Sequence, residues 1–154
     1  MTELGPVPPD ALRNRPGLDV MRALLDGTLP RAPIAGLIGF RLVEVGRGRV
    51  VFEGEPDERH LNPLGTVHGG YAATLLDSCM GCAVHTTLDA GQGYTTLELK
   101  VGYARAIRPG QGVVRAEGTV LSTGRRAGFA EGKLLGADGK LLAFGSTTCL
   151  VFAM

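Results

Sequence analysis

The stretch that decides the fold is NPLGTVHGGYAATLLDSC, residues 62–79. From 71 to 88 the chain is a run of small and apolar residues in which the one formally charged side chain is Asp77. The run is too long for an ordinary strand and lacks strict alternation, so it predicts a helix over residues 70–88. Because nearly every position is apolar, we expect this helix to be buried over most of its surface.

Two glycines, Gly69 and Gly70, stand where the predicted helix begins. The first amides of a helix have no partners within the helix and lie at its positive end. Since glycine has no Cβ, a ligand can approach these amides closely, which suits an anion or a polarised carbonyl oxygen. From the two glycines alone, a tight turn from loop to helix is the simpler interpretation.

Asp77 is a reason to consider a functional role for this segment. A carboxylate in an apolar helix is costly unless it is paired or hydrated. One interpretation is a structural Asp with a buried Arg or hydroxyl partner, for which Thr74 and Ser78 are the near candidates along the chain. The other is a general base or nucleophile in a partly dry site. Both interpretations remain open at this point.

Length, charge and termini limit the class of protein. At 154 residues with a net charge of +1, the chain is most simply one domain without the electrostatic footprint of a nucleic-acid-binding protein. No apolar run is long enough to span a bilayer, and the N-terminus does not resemble a signal peptide. We therefore expect a cytoplasmic protein that binds neither nucleic acid nor membrane.

The cysteines and histidines predict no redox or metal chemistry. Three cysteines without a secretory signal indicate reduced thiols. Cys79 and Cys82 form a CxxC pair about three turns inside the helix, not at its N-terminus, so we interpret them as core residues. His60, His68 and His85 lack the spacing of zinc ligands, and we expect no metal site.

Around this helix the pattern is that of an antiparallel sheet. We expect an irregular arm over residues 1–17, then a short amphipathic helix over 17–27. The predicted strands lie at 40–45, 49–55, 96–105, 112–122, 126–136 and 140–152. On the third strand, alternation places Leu97, Leu99, Val101 and Tyr103 on one face and Thr96, Glu98, Lys100 and Gly102 on the other.

The order of two strands, one helix and four strands contains no strand–helix–strand repeat. It predicts an α+β fold in which one antiparallel sheet wraps around one long central helix, with an N-terminal helical extension. The expected division is an arm and short helix at 1–39, followed by the main domain at 40–154.

Several of these residues together resemble a known family. Asn62, Gly65, the motif His68-Gly69-Gly70 and Asp77, nine residues after the histidine, resemble the hotdog-fold acyl-CoA thioesterases. The branch is the one that contains the phenylacetate-pathway thioesterase and related HGG-type enzymes. The resemblance extends from about residue 33 to residue 152 and agrees with the arrangement of helix and sheet inferred above.

The resemblance implies a role for each matching residue. Asp77 is the catalytic carboxylate, which activates water or attacks the thioester, and the Gly69 amide polarises the thioester carbonyl. Asn62 orients the water or the thioester, His68 has a supporting role, and Thr96 helps to hold the water.

The resemblance also implies where coenzyme A binds. Arg125 and Arg126 match a basic contact to the coenzyme A phosphates, and Gly70 is expected beside the ligand. Many relatives have Asn and Pro where this chain has Gly102 and Ala106. This departure concerns the end of the strand that borders coenzyme A in relatives.

The implied function is hydrolysis of an acyl-CoA to the free acid and coenzyme A, without a cofactor, since coenzyme A is part of the substrate. Alternatives are a hotdog hydratase, which uses a different Asp/His pairing, and a non-catalytic acyl-CoA-binding protein. The acyl group stays open.

Helix geometry adds an expectation about assembly. Gly69 and Asp77 are eight residues apart, or about 12 Å along a helix axis, so one thioester group cannot easily contact both within one chain. We expect a homodimer with shared active sites, and the resemblance implies a tetramer of two such dimers.

Overall fold

The computed structural model describes residues 3–154. The helices are α1 (Pro9–Asn14), α2 (Gly17–Leu25), α3 (Pro33–Ile38) and α4 (Gly69–His85), with a short 3-10 turn at Glu58–His60. The strands are β1 (Phe40–Gly46), β2 (Arg49–Gly54), β3 (Gln92–Tyr103), β4 (Val114–Thr123), β5 (Ala127–Leu135) and β6 (Leu141–Ala153).

One six-stranded sheet contains every strand, in the order β1-β2-β4-β5-β6-β3, and all neighbouring strands are antiparallel. Helix α4 packs against five of these strands. Its residues Leu75, Leu76 and Met80 are fully buried in the core between helix and sheet. The predicted α+β hotdog architecture, a sheet wrapped around one central helix, is confirmed.

Helix α4 lies directly on the sheet because the strands beneath it carry glycines. A Cβ placed at Gly118 on β4 would lie 2.3 Å from the Cys79 carbonyl oxygen, and one at Gly128 on β5 would lie 2.6 Å from the Val84 side chain. No real side chain atom comes so close to a backbone oxygen without displacing it. Glycine at these positions therefore sets the distance between helix and sheet.

The N-terminal extension contains more helix than the sequence predicted. Helix α1 lies within the segment expected to be irregular, and α3 lies in the segment expected to lead into β1. Each has only six residues, too few to show periodicity, and each begins with a proline in its first turn. Among the described residues, no helix has the length and apolar character needed to cross a membrane.

A bulge in β3 changes which residues of that strand face the core. Opposite β6, the register shifts between Thr96 and Glu98, which leaves Leu97 as the extra residue. A bulge of this kind reverses the alternation on one side of it. Leu97 is therefore 61% exposed and does not share a face with Leu99 and Val101, which pack against the core, so the predicted alternation is wrong at this position.

The cysteines are core residues, as predicted from their place in the helix. Cys79 and Cys149 are buried and Cys82 is half-buried, and all three are free thiols. Burial raises the pKa of the Cys82 thiol to about 11, which keeps it protonated near neutral pH. The pair therefore lacks the thiolate that redox CxxC motifs require.

The contact at Gly118 gives a test of the fold. We expect Gly118→Ala to lower the free energy of unfolding by about 1–3 kcal/mol, because the added Cβ must displace the backbone of α4. Gly124→Ala is the matched control, since a Cβ there meets only ordinary contacts, and it should change stability by less than about 0.5 kcal/mol. Urea unfolding measures both, and equal stabilities would contradict this packing.

Candidate active site

In the first turn of α4, one glycine N–H donates a hydrogen bond to a side chain, and the other has no acceptor among the described residues. His68 caps the helix, and its Nδ1 accepts a hydrogen bond of 2.9 Å from the Gly70 N–H. None of the described residues accepts a hydrogen bond from the Gly69 N–H. The Gly69 amide is therefore the available donor at the positive end of α4, and His68 supports this turn by holding Gly70.

A cavity of about 440 Å³ lies beside Gly69. Its walls are residues 67–70, the Ala72 position and residues 103–107. A backbone hydrogen bond of 2.9 Å from Val67 N–H to the Ile107 oxygen joins the two segments. The cavity thus gives a small ligand access to the free amide.

Tyr103 forms one wall of this cavity. The residue is 55% exposed, and its hydroxyl donates a 2.9 Å hydrogen bond to the Gly69 carbonyl oxygen. A Cβ at Gly69 would lie 3.0 Å from the Tyr103 ring. Glycine leaves the ring room to cover the first turn of α4, where a Cβ would be a tight contact. Alternation alone could not reveal this role, because β3 runs past the end of the core.

Asn62 organises the loop that enters α4. Its side-chain oxygen accepts hydrogen bonds from the N–H groups of Leu64 (2.9 Å) and Thr66 (3.2 Å), and its Nδ2 donates to Thr66 Oγ1 (2.9 Å). One amide hydrogen remains for a role in orienting water or thioester. That role stays a prediction, whereas the structural role in the loop is direct.

Asp77 lies half-buried in the middle of α4 and has a single hydrogen-bond donor. Thr96 Oγ1 on β3 donates to Asp77 Oδ1 over 2.9 Å. Among residues 3–154, no Lys, Arg or His forms an ion pair with it. Thr74, a candidate partner from the sequence, instead donates to the Gly70 carbonyl oxygen. The carboxylate is therefore positioned by a hydrogen bond but has no ion-pair partner among the described residues.

The bulge in β3 explains how Thr96 reaches Asp77. Simple alternation placed Thr96 on the face opposite Leu99, and that prediction is wrong. Because Leu97 is the extra residue, Thr96 and Leu99 lie on the helix side of the strand. A local irregularity thus brings together the two residues that the family resemblance had paired through a shared water.

Gly69 and Asp77 stay apart within one chain. Helix α4 is continuous between them, which gives about 12 Å along its axis. Asp77 does not line the cavity beside Gly69. The donor and the carboxylate therefore face different regions of the same subunit.

Arg125 and Arg126 lie at the opposite end of α4 from Gly69. They occupy the exposed turn between β4 and β5, and Arg125 lines a cavity of about 370 Å³ together with Arg47 and Thr87. Because α4 has 17 residues, this turn is about 24 Å along the axis from Gly69. Arg47, which the sequence did not single out, adds a second positive charge to this cavity.

Comparison with known proteins assigns the family. The model of the thioesterase superfamily matches residues 64–143, which include Gly69, Asp77 and Thr96. This chain belongs to the thioesterase superfamily. Members of the superfamily hydrolyse thioesters, and membership confirms the enzyme class that the sequence predicted.

The relatives agree with this assignment. Human acyl-coenzyme A thioesterase 13 is 32% identical over 108 residues, which cover 70% of this chain and 76% of the human protein. The Caenorhabditis elegans protein F42H10.6 is 36% identical over 107 residues, 69% of this chain but only 62% of the worm protein. Among solved structures, a phenylacetic acid degradation-related protein from Ralstonia eutropha superposes with a TM-score of 0.77 at 29% identity, covering 84% of this chain and 98% of that one.

The hydrogen bond between Thr96 and Asp77 can be tested in this thioesterase-superfamily protein. A hydrogen bond to a charged group contributes enough that Thr96→Val should lower kcat at least about tenfold. KM should change less than about threefold if Thr96 acts by positioning the carboxylate. Thr96→Ser keeps the hydroxyl and should retain kcat within about threefold. Steady-state thioester hydrolysis measures both variants. A Thr96→Val variant as fast as Thr96→Ser would show that the Thr96 hydroxyl plays no part in the active site.

Proposed function

We propose that this protein hydrolyses acyl-CoA thioesters to the free acid and coenzyme A. Asp77 serves as general base or nucleophile, and the Gly69 N–H polarises the thioester carbonyl. The name of the human relative, acyl-coenzyme A thioesterase 13, supports acyl-CoA as the substrate class. The match spans less than two thirds of the worm relative. Family membership alone therefore does not establish the substrate, and acyl-CoA is part of the proposal.

The observation that carries the proposal is the state of Asp77. Its Oδ1 accepts the Thr96 hydrogen bond, while Oδ2 accepts none from the described residues. A half-buried carboxylate without a cation is costly for a purely structural residue. The same arrangement leaves one oxygen available to take a proton from water or to attack a carbonyl carbon.

The chemistry follows from these two groups. As water or Asp77 attacks, the carbonyl carbon becomes tetrahedral and its oxygen gains negative charge. A fixed amide at the positive end of α4 stabilises that charge without having to reorganise. The carbon–sulfur bond then breaks and coenzyme A leaves as the thiolate. If Asp77 itself attacks, the resulting anhydride is hydrolysed by water in a second step.

The separation of Gly69 from Asp77 supports a site shared by two subunits. Strand β3 is an edge of the sheet, paired only with β6, and is 12 residues long. An edge of this length offers a row of unpaired backbone groups to another chain. In the proposed dimer, Gly69 and Asn62 of one subunit face Asp77 and Thr96 of its partner, and two-fold symmetry creates two such sites.

The remaining expectations fit this proposal. The chemistry needs only a backbone donor and a carboxylate, so no cofactor is required beyond the coenzyme A of the substrate. The three free cysteines support a cytoplasmic location. Pairing of two dimers into a tetramer is proposed from the family resemblance.

Asp77→Asn tests the proposed role of the carboxylate. The change keeps the size of the side chain but removes its basicity and nucleophilicity, so we expect kcat to fall at least about a hundredfold. Stability should be retained or increase, since a partly desolvated charge is removed. Asp10→Asn, at an exposed residue of α1, is the matched control and should be fully active.

The assay is thiol release from a panel of acyl-CoA esters, with hydration of an enoyl-CoA measured in parallel. Thiol release by Asp77→Asn at near wild-type rate would contradict the catalytic role of Asp77. Enoyl hydration, or binding without turnover, would favour the two alternative functions.

The basic turn gives a separate test of coenzyme A binding. If Arg125 and Arg126 contact the phosphates, changing both to Ala should raise KM more than it lowers kcat, because the contact is remote from the chemistry. The increase should shrink at high salt. Changing Arg41 and Lys133 to Ala removes the same charge from exposed positions elsewhere and is the control. Equal KM values for the two double variants would show that this turn does not bind coenzyme A.

A further inference from the structure

A second cavity lies between the N-terminal extension and α4. It has a volume of about 130 Å³ and is lined by residues of α2, α3, β1, β2 and α4 and by Arg31 and Ala32 before α3. Leu24 and Ala35 line it from the extension, Phe40 and Phe52 from the sheet, and Ser78 from α4. Most of its wall is hydrocarbon, so the cavity suits an apolar group.

This cavity adjoins the turn of α4 that carries the carboxylate. Ser78 follows Asp77 directly, and Cys82, one turn further on, also lines the cavity. Successive residues of a helix point about 100° apart, so the Asp77 carboxylate and the cavity occupy neighbouring faces of α4. Besides burial, the negative charge of Asp77 raises the pKa of Cys82, which is consistent with this closeness.

We propose that this cavity binds the distal part of the substrate's acyl group, and that the N-terminal extension thereby sets which acyl groups are hydrolysed. The inference rests on the proposed function, because it places the acyl chain next to Asp77. In this arrangement the acyl chain extends from the thioester carbon at Asp77 past Ser78 into the cavity.

The volume limits the substrate class. A dry protein cavity of about 150 Å³ accommodates benzene, which has six carbons. The cavity described here is slightly smaller, so it holds a compact apolar group of about six carbons. With the carbonyl and its neighbouring carbon outside, the favoured acyl groups have about six to eight carbons. A sixteen-carbon chain does not fit.

Part of the cavity wall precedes the segment that the superfamily model matches. The family match begins at residue 64, whereas α2, α3 and β1 precede it. Gly69, Asp77 and Thr96 thus lie within the matched segment, and the apolar walls contributed by Leu24 and Ala35 lie before it. This division separates the residues for chemistry from the residues for acyl selection.

Two variants change the cavity in opposite directions. Leu24→Ala enlarges it and should raise the ratio of kcat/KM for decanoyl-CoA over hexanoyl-CoA at least about fivefold. Ala35→Leu fills it and should lower the ratio for octanoyl-CoA over butanoyl-CoA at least about fivefold. Leu12→Ala is the matched control: Leu12 packs with Val20 and Leu29 in a cluster that Leu24 also contacts, but Leu12 does not line the cavity, and the change should leave both ratios within about twofold.

The measurement is thiol release from straight-chain acyl-CoA esters of two to sixteen carbons. A ratio of two substrates on one enzyme preparation does not depend on how much of a variant is folded, so partial destabilisation cannot imitate the result. A wild-type optimum near six to eight carbons, with opposite shifts in the two variants, is the expected outcome.

Two other outcomes overturn the proposal and can be told apart. If the wild type hydrolyses acyl-CoA but prefers sixteen carbons, or if neither variant alters its ratio, the cavity is a packing void and the proposed function stands. If the wild type releases thiol from no acyl-CoA, the proposed function fails and the acyl site fails with it.

Discussion

The position of α4 on the sheet is the constraint on which the rest of the structure depends. Glycines such as Gly118 and Gly128 let the helix backbone approach the strands until a Cβ would overlap it. This approach buries Leu75, Leu76 and Met80 completely on one side of α4, and it leaves the side that carries Asp77 only half-covered. A helix held so firmly keeps its first amides and its carboxylate at fixed positions, as electrostatic catalysis requires.

The sequence predicted the long-range order well because hairpins and one apolar run determine it. It failed where a single residue changes the geometry. The extra residue Leu97 in β3 turns Thr96 towards Asp77, and a bulge leaves no clear signal in an alternating pattern. Tyr103 obeyed the alternation but lies beyond the core, over Gly69. Helix α1 was missed because six residues show no period.

In the candidate site, too, some features could be predicted from the sequence and others could not. Asp77 is visible in the sequence because a charge in an apolar helix needs an explanation. Its partner Thr96 is visible only through the family resemblance, since the contact joins a helix to a distant strand. The first turn also differs from a simple expectation of open amides: His68 engages Gly70 and leaves Gly69 free. Which amide is available to a ligand is thus set by a side chain to which sequence reasoning gave only a supporting role.

A shared site is the central claim, and activity in mixed dimers tests it most directly. Gly69→Pro removes the donor at a position that suits proline in its backbone, since Gly69 is the first residue of α4 and His68 before it is extended. Gly69→Ala keeps the amide and controls for crowding of Tyr103. Mixed with inactive Asp77→Ala, the proline variant should form dimers with one intact site and restore about a quarter of wild-type activity. Well-folded mixed dimers as inactive as either parent would contradict a shared site.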